Sequence, residues 1–179
     1  TVWNASGTNT CTVPITVTYP APTFTFTRSP TAILLGASAT LSWSAITDAY
    51  SAGLEPGTLS VSTNGGSLVV TPTVTTTYTN TATGPGGTTT KFAVVTVNPV
   101  LTSTFTANPT TLIQGSSATL NWETFGLCSG VTIDNGVGAK PCGVGSQIVT
   151  PSATTTYTMI TSGTGGPVTN LAQVIVVAP

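Results

Sequence analysis

The chain carries very little charge: only three of its 179 residues are Lys or Arg, four are Asp or Glu, and none is His. An ordinary soluble domain is about a quarter charged, so the polarity of this surface has another source. The 42 Thr and 16 Ser residues supply it as hydroxyl groups. No cluster of Lys or Arg is present to attract a phosphate backbone or an anionic membrane face. Nucleic acid is therefore excluded as a partner.

Long apolar runs are also absent. The run Ala32 to Leu35, for example, stops at Gly36, whereas a membrane helix needs about 20 apolar residues. The sequence thus predicts no membrane span. No basic region followed by an apolar region opens the chain, so we expect any export signal to lie outside it.

The lack of His and the scatter of carboxylates argue against catalysis and metal binding. Without His, a Ser nucleophile has no activating base, and three Cys are too few for a zinc site. The segment Asp134-Asn135-Gly136 lacks the further acidic ligands of a calcium loop, and we interpret it as a turn. The four carboxylates share no motif: Asp48, Glu55, Glu123 and Asp134. We predict no catalytic residue, no metal, no cofactor and no enzyme.

What the chain does contain is an internal repeat. Residues 21–99 align with residues 100–178 without a gap at an offset of 79, with 30 identities. Such self-similarity indicates tandem domains. At the same offset residues 1–20 fall on residues 80–99. The predicted domains are therefore 1–20, the terminal hairpin (F and G strands) of a preceding repeat, and two complete repeats, 21–99 and 100–179.

The N-terminal hairpin needs a partner, because a lone two-stranded hairpin is marginal in water. We expect Val13, Ile15 and Val17 to lie against a neighbouring sheet that residues 21–179 do not form. That sheet would come from the upstream part of the same polypeptide, which we favour, or from another copy by strand addition.

Each repeat has the pattern of β-strands. Thr, Val and Ile dominate, and turn residues recur every 8 to 12 positions. Ala39, Leu41 and Trp43 alternate with polar residues, as do their equivalents in the second repeat. About seven short strands in 79 residues are most simply buried as two packed antiparallel sheets, an all-β sandwich.

The two repeats resemble the bacterial immunoglobulin-like repeats of large secreted or surface-anchored proteins. The resemblance lies in Gly-x-Ser-x-Thr-Leu-x-Trp, Thr-Pro-x-x-Thr-Thr-Thr-Tyr-Thr and a Gly-x-Gly-Gly turn before a Val-rich strand. It implies tandem immunoglobulin-like sandwiches in which Trp43 and Trp122 fill the core and Tyr78 and Tyr157 form tyrosine corners. The disulfide between strands B and F of antibody domains is absent. Residues 46–67 share almost nothing with 125–146, so these segments form the variable face.

The three cysteines suggest one bridge. Cys128 and Cys142 flank a strand, a Gly-rich turn and a return, so we predict a disulfide across the base of a hairpin. Two buried thiols are the alternative. Cys11 has Thr at both equivalent positions, and it is either inert or paired with a residue upstream of this chain.

Two further surface features bear on partners. Tyr50 is a possible ligand contact, whereas Tyr19 and Phe24 are expected to pack beside the Pro-rich joint. Asn4-Ala5-Ser6 matches an N-glycosylation acceptor. Because a surface so nearly neutral lacks colloidal repulsion, we expect O-linked glycans on the Thr and Ser faces or packing against neighbouring chains.

These observations favour a structural or interaction protein: an extracellular or cell-surface stalk, fibre or filament of end-to-end domains. Its expected partners are neighbouring copies or the upstream part of the same polypeptide. The alternative is an adhesin or carbohydrate-binding segment that uses the variable segments 46–67 and 125–146.

Overall fold

Short Thr- and Val-rich runs between Gly, Pro and Asn turns fold into β-strands, as their alternating pattern predicts. The structure is a computed structural model that describes residues 2–4, 7–9 and 11–179, and in these residues all regular structure is β. The predicted all-β class is confirmed. The first ten strands are β1 (Val2–Asn4), β2 (Gly7–Asn9), β3 (Phe26–Ser29), β4 (Ala32–Leu34), β5 (Ala39–Trp43), β6 (Ser51–Glu55), β7 (Leu59–Val61), β8 (Gly66–Val70), β9 (Thr76–Gly84) and β10 (Gly87–Asn98).

The second repeat contains the same number of strands as the first, in the same order. They are β11 (Thr102–Asn108), β12 (Thr111–Ile113), β13 (Ala118–Phe125), β14 (Cys128–Ile133), β15 (Gly138–Lys140), β16 (Gly145–Val149), β17 (Thr155–Gly163) and β18 (Val168–Val177). Each repeat forms a three-stranded and a five-stranded sheet. The orders are β3-β5-β8 and β4-β10-β9-β6-β7 in the first repeat, and β11-β13-β16 and β12-β18-β17-β14-β15 in the second.

A proline divides the first strand of each repeat between the two sheets. Pro30 follows β3 and Pro109 follows β11, and the chain then continues in the opposite sheet as β4 or β12. Proline has no N–H to continue a strand ladder, which explains the break at this point. As a result each repeat has eight strands, and β4 and β12 run parallel to β10 and β18. The sequence analysis predicted two packed antiparallel sheets, and the structure adds to them one parallel pair in each repeat.

The inward faces of the strands supply the cores. Buried side chains of the first repeat that pack together are Phe24, Trp43, Ile46, Ala52 and Ala82. Buried side chains of the second repeat that pack together are Phe105, Leu112, Ala118, Leu120, Trp122, Val131, Ile133, Tyr157, Met159, Ala172 and Val174. The Tyr78 ring is buried as well. The rows of apolar residues that alternate in the sequence thus face inward.

Contacts divide the chain into two compact units. One comprises the described residues up to 27 together with 41–68 and 77–93, and the other comprises 28–40, 69–76 and 94–179. This division runs through the first repeat. The domain boundaries taken from the sequence repeat, at 20/21 and 99/100, stay predictions.

The N-terminal residues depart from the expectation. β1 and β2 form a short antiparallel hairpin, but residues 11–20 form no strand. Val13, Ile15 and Val17 are 74%, 86% and 63% exposed. The prediction that these three side chains lie against a neighbouring sheet is therefore wrong for this chain by itself. Cys11 is an exposed free thiol.

The physical reason is which residues of this segment would face inward if it formed the last strand of a repeat. At the offset of 79 the buried residues Ala93 and Val95 of β10 correspond to Pro14 and Thr16. A shift of one residue exchanges the two faces of a strand, and an interior strand such as β10 does not accommodate proline. Residues 13–18 thus lack the inward apolar row of a last strand. The assignment of 1–20 to a preceding repeat stays a prediction.

No helix in the described residues is long and apolar enough to cross a membrane. The pattern Asn4-Ala5-Ser6 lies outside the residues whose side chains the structure describes, so its glycosylation stays a prediction.

Two polar side chains are buried in the cores without a hydrogen-bond partner. Asn80 of β9 is fully buried, and neither its Nδ2 nor its Oδ1 has a hydrogen-bond partner. In the second repeat Met159 occupies the equivalent position, while buried Thr161 has an unpartnered Oγ1 and replaces Ala82. A buried polar group without a partner costs about 1 to 3 kcal/mol. Each repeat therefore carries one destabilising polar residue that the other repeat lacks.

We expect apolar replacements of the same shape to stabilise both repeats. Asn80→Leu should raise the free energy of unfolding by about 1 to 3 kcal/mol, and Thr161→Val by about 1 kcal/mol, because each removes an orphaned polar group. Chemical denaturation followed by Trp fluorescence measures both values. Thr124→Val is the matched control: the Thr124 hydroxyl accepts the Gly143 N–H at 2.7 Å, so this variant should be less stable than wild type. A loss of stability in Asn80→Leu and Thr161→Val would contradict the interpretation.

Candidate interaction surfaces

A buried tryptophan anchors the variable segment of each repeat. Trp43 ends β5, and its Nε1–H donates to the Ser62 carbonyl oxygen at 2.9 Å. Trp122 lies in β13, and its Nε1–H donates to the Pro141 carbonyl oxygen at 3.4 Å. Ser62 and Pro141 are 79 residues apart and lie near the ends of segments 46–67 and 125–146. A buried indole N–H requires such a partner, so both segments return to the same place although their sequences differ.

Glycine makes room for the indole ring. A Cβ at Gly66 would approach Trp43 Cζ2 to 2.9 Å, and a Cβ at Gly145 would overlap the Trp122 ring atoms. The two glycines are equivalent in the repeat and begin β8 and β16. The sequence analysis did not single them out. Their identity at the offset of 79, inside segments that share almost nothing else, is the signal that reveals them.

The variable segment of the first repeat forms a hairpin that leaves one aromatic ring exposed. β6 and β7 pair antiparallel, and the intervening turn is closed by Thr58 N–H, which donates to Glu55 Oε2 at 3.2 Å. Tyr50 precedes β6, and its side chain is 71% exposed. Its backbone N–H donates to the Thr83 carbonyl oxygen at 3.0 Å, so the exposed ring projects from a fixed backbone.

The two other aromatic residues near the joint differ from each other. Phe24 packs in the core of the first repeat, whereas Tyr19 is exposed. Phe24 therefore packs within its own repeat, and neither residue shows the interdomain packing that the sequence analysis expected beside the joint.

The variable segment of the second repeat is closed by the predicted disulfide. Cys128 and Cys142 are bonded, with a Cα–Cα distance of 6.0 Å and a separation of 14 residues. Cys128 begins β14, and Cys142 follows β15. The bridge spans the base of the β14–β15 hairpin, as expected from the positions of the two cysteines.

Asp134 forms hydrogen bonds that fix the turn of this hairpin. Its Oδ1 accepts the Thr158 N–H at 2.8 Å and the Asn135 Nδ2–H at 3.0 Å. The Asn135 amide also donates to the Thr156 carbonyl oxygen at 2.9 Å. The Asp134-Asn135-Gly136 segment is thus a braced turn, as interpreted from the sequence. Glu55 closes the equivalent turn of the first repeat, so two of the four carboxylates have structural partners.

Next to this turn an open depression exposes mainly polar groups. It is lined by Asn135, Gln147, Thr150, Ser152, Thr155 and the buried ring of Tyr157, with Gly136, Val137, Ile148, Val149 and Pro151. Burial, and secondarily the negative charge of Asp134, raises the pKa of Tyr157. Burial alone raises the pKa of Tyr78. Both phenols therefore stay protonated at neutral pH, and their role as tyrosine corners stays a prediction.

Within the described residues no group of three or more His, Cys, Asp or Glu side chains is placed to hold a metal ion. The chemistry that these surfaces offer is hydrogen bonding from hydroxyl and amide groups together with exposed aromatic and aliphatic side chains.

Comparison with known proteins identifies the fold but not a family. No protein-family model matches the chain, and no curated protein matches it in sequence. Solved structures of tandem immunoglobulin-like domains do match. An I-band fragment of titin has a TM-score of 0.63 and 15% identity over 88% of this chain and 66% of its own. The structure of the eight N-terminal domains of DSCAM has a TM-score of 0.63 and 15% identity, over 88% of this chain and 25% of that chain. The structure of extracellular domains 3–5 of Drosophila OTK has a TM-score of 0.56 and 14% identity, over 87% of this chain and 62% of that chain.

We expect a side chain at either tryptophan-packed glycine to destabilise its repeat. Gly145→Ala should lower the free energy of unfolding by about 1 to 3 kcal/mol, because the added Cβ overlaps the Trp122 ring and the packed core resists the shift. Gly66→Ala should cost less, since its Cβ makes a looser contact with Trp43. Gly130→Ala is the control: no atom lies within 4 Å of its Cβ, so stability should change little. Thermal or chemical denaturation measures all three, and equal effects at Gly145 and Gly130 would refute the role of the ring contact.

Proposed function

We propose that the chain is part of an extracellular stalk or fibre in which immunoglobulin-like domains are arranged end to end. The single observation that carries this proposal is the parallel pair at the edge of the five-stranded sheet in each repeat. A strand near the start of the repeat is bonded there to the strand that ends it.

The hydrogen bonds of this pair are the same in both repeats. Thr96 N–H donates to the Thr31 carbonyl oxygen at 3.0 Å, and Leu35 N–H donates to the Asn98 carbonyl oxygen at 2.9 Å. The equivalent bonds of the second repeat are Ile175 N–H to Thr110 O at 2.8 Å and Gln114 N–H to Val177 O at 3.0 Å. The two repeats therefore form the same hydrogen-bonded strand pair between the start and the end of the repeat. We call this pair the clasp.

The clasp is oriented to resist tension. When the two ends of a repeat are pulled apart, β4 is drawn towards its N-terminus and β10 towards its C-terminus. Because the strands are parallel, they slide along each other, and the evenly spaced bonds of a parallel pair lengthen together. Breaking several hydrogen bonds at once requires a larger force than opening them one after another. This property suits a domain that works as a link in a stalk.

A threonine of each repeat adds a further bond to the last strand. The Thr75 hydroxyl oxygen accepts the Val97 N–H at 3.0 Å, and the Thr154 hydroxyl oxygen accepts the Val176 N–H at 3.1 Å. Side-chain hydroxyls thus replace backbone partners where the last strand leaves its ladder. This use of threonine supports the same role.

The segment that precedes the first repeat is also held in place. A Cβ at Gly86 would overlap the carbonyl oxygen of Pro20, so the turn between β9 and β10 lies directly against the Tyr19–Pro20 segment. Short joints that contain proline behave as semi-rigid spacers. The disulfide of the second repeat is typical of oxidising, extracellular environments and supports that location.

Single-molecule force spectroscopy on the intact chain tests the clasp. Gln114 occupies the second position of a turn in which Gly115 has φ of 90° and Ser116 N–H donates to Ile113 O at 3.0 Å. Proline is favoured at that position of a type II turn. Gln114→Pro therefore fits the backbone and removes one bond of the clasp, so we expect the second repeat to unfold at a clearly lower force.

The first repeat serves as the internal control for this variant. Its unfolding force should stay at the wild-type value in Gln114→Pro and should fall in Leu35→Pro, which alters the equivalent turn. The disulfide distinguishes the two events, because it shortens the length released by the second repeat until it is reduced. Unchanged forces in both variants would contradict a load-bearing clasp.

A second candidate function is ligand binding by the variable segments, and the exposed ring of Tyr50 favours it. Aromatic faces of this kind stack on sugar rings. If the chain is a carbohydrate-binding module, a glycan array should detect binding that Tyr50→Ala abolishes and that Tyr19→Ala, a matched exposed tyrosine, retains. Absence of any bound glycan, or equal loss in both variants, would exclude this role for Tyr50.

A further inference from the structure

The outer face of the last strand of the second repeat carries an uncovered apolar row. β18 lies between β12 and β17, and its inward residues Ala172 and Val174 are buried. Five large apolar side chains occupy the opposite face of these three strands: Ile113, Ile160, Leu171, Ile175 and Val177, which are 54%, 43%, 63%, 42% and 43% exposed. We call these five residues the β18 stripe.

The strand pairing makes this row continuous. Ile113 pairs with Val177 across the parallel pair, and residues paired in this way share a face. Leu171 pairs with Thr158, so Ile160 lies two residues further along the neighbouring strand on the same face. Along β18, Leu171 to Val177 spans roughly 20 Å at the rise of a strand. The stripe is therefore one surface.

The fold does not require these side chains to be apolar. The equivalent positions in the first repeat are Leu34, Thr81, Phe92, Thr96 and Asn98, so three of the five are polar there. The first repeat nevertheless forms the same sheets in the same order. Because the internal core lies on the other face, the apolar character of the β18 stripe has no role within the sandwich.

The surroundings of the stripe carry one charge. The neighbours of the stripe on the same face are Thr132, Thr156, Thr158, Thr169 and Gln173. Asp134 lies at the edge of this face: its N–H donates to the Thr158 carbonyl oxygen, its Oδ1 accepts the Thr158 N–H, and Thr158 pairs with Leu171. Glu123 belongs to β13 in the other sheet, and Lys140 pairs with the inward-facing Val131. The face is thus an apolar centre within a rim of hydroxyl and amide groups and one carboxylate.

We propose that the β18 stripe is the centre of an interface with the same stripe of a second copy of this chain. The five side chains of the stripe carry no charge, so two copies of this apolar centre meet without like-charge repulsion, and a two-fold axis brings one patch onto its own copy. A different partner that relies on charge complementarity would find a single carboxylate, that of Asp134 at the rim, to pair with. The inference holds whether or not the chain forms a stalk.

The size of the patch suits such an interface. The five side chains expose on the order of 400 Å² of apolar surface, which is the size of patches that are often functional on monomers. A stable interface buries about 800 Å² on each partner, with an apolar core inside a polar rim. The stripe with its rim of Thr and Gln side chains supplies both parts.

Sedimentation velocity and light scattering of the intact chain test the proposal over a wide range of concentration. Wild type should form a dimer. Leu171→Lys with Ile175→Lys should abolish the dimer, because it sets positive charges against each other at the centre of the interface. The milder Leu171→Thr with Ile175→Thr should weaken dimerisation by about 30-fold or more, the effect expected for residues at the centre of an interface.

The matched control is Phe92→Lys with Thr96→Lys, at the equivalent positions of the first repeat. This control should dimerise as wild type does, and thermal melting should show that every variant is folded. A wild-type chain that remains monomeric at all concentrations would overturn the proposal, including one that instead binds a glycan or another protein through this face. A dimer that survives both stripe variants, or one that the control weakens equally, would overturn it as well.

Discussion

The buried tryptophan of each repeat is the constraint on which much of the remaining structure depends. An indole in the core has an N–H that requires an acceptor, and the acceptor is the backbone carbonyl at the end of the variable segment. That bond determines where the segment ends and where the following strand begins. It also requires glycine at the start of β8 and β16, where the ring leaves no room for a side chain. The residues between can then differ without disturbing the sandwich, and they do.

The inward and outward faces of each sheet are likewise under different constraints. Inward positions are mostly apolar in both repeats because they fill the core, and Asn80 and Thr161 are polar groups left there without partners. Outward positions are free to diverge. One such divergence is on β18 and its two neighbouring strands, where the second repeat places aliphatic side chains at positions that are mostly polar in the first. The core does not require this difference, because these positions face away from it.

The clasp between the start and end of each repeat depends on a single proline. Pro30 and Pro109 interrupt the first strand, and the chain continues beside the last strand of the opposite sheet, parallel to it. Without that break the first strand would stay in one sheet, and its two ends would not be bonded to the end of the repeat. A residue that lacks an N–H thus leads to the parallel pair between the start and the end of each repeat.

The sequence by itself determined the all-β class, the tandem repeat, the inward rows that contain Trp43 and Trp122, and the pairing of Cys128 with Cys142. These follow from local rules: alternation, a fixed offset, and two cysteines that flank one hairpin. Only the tertiary structure decided the parallel pair, the glycines beneath the indoles, the turn-bracing role of Glu55 and Asp134, and the exposure of Val13, Ile15 and Val17. The reason is that each depends on which strands become neighbours across the sandwich, and alternation shows that a strand has two faces without showing what lies opposite either one.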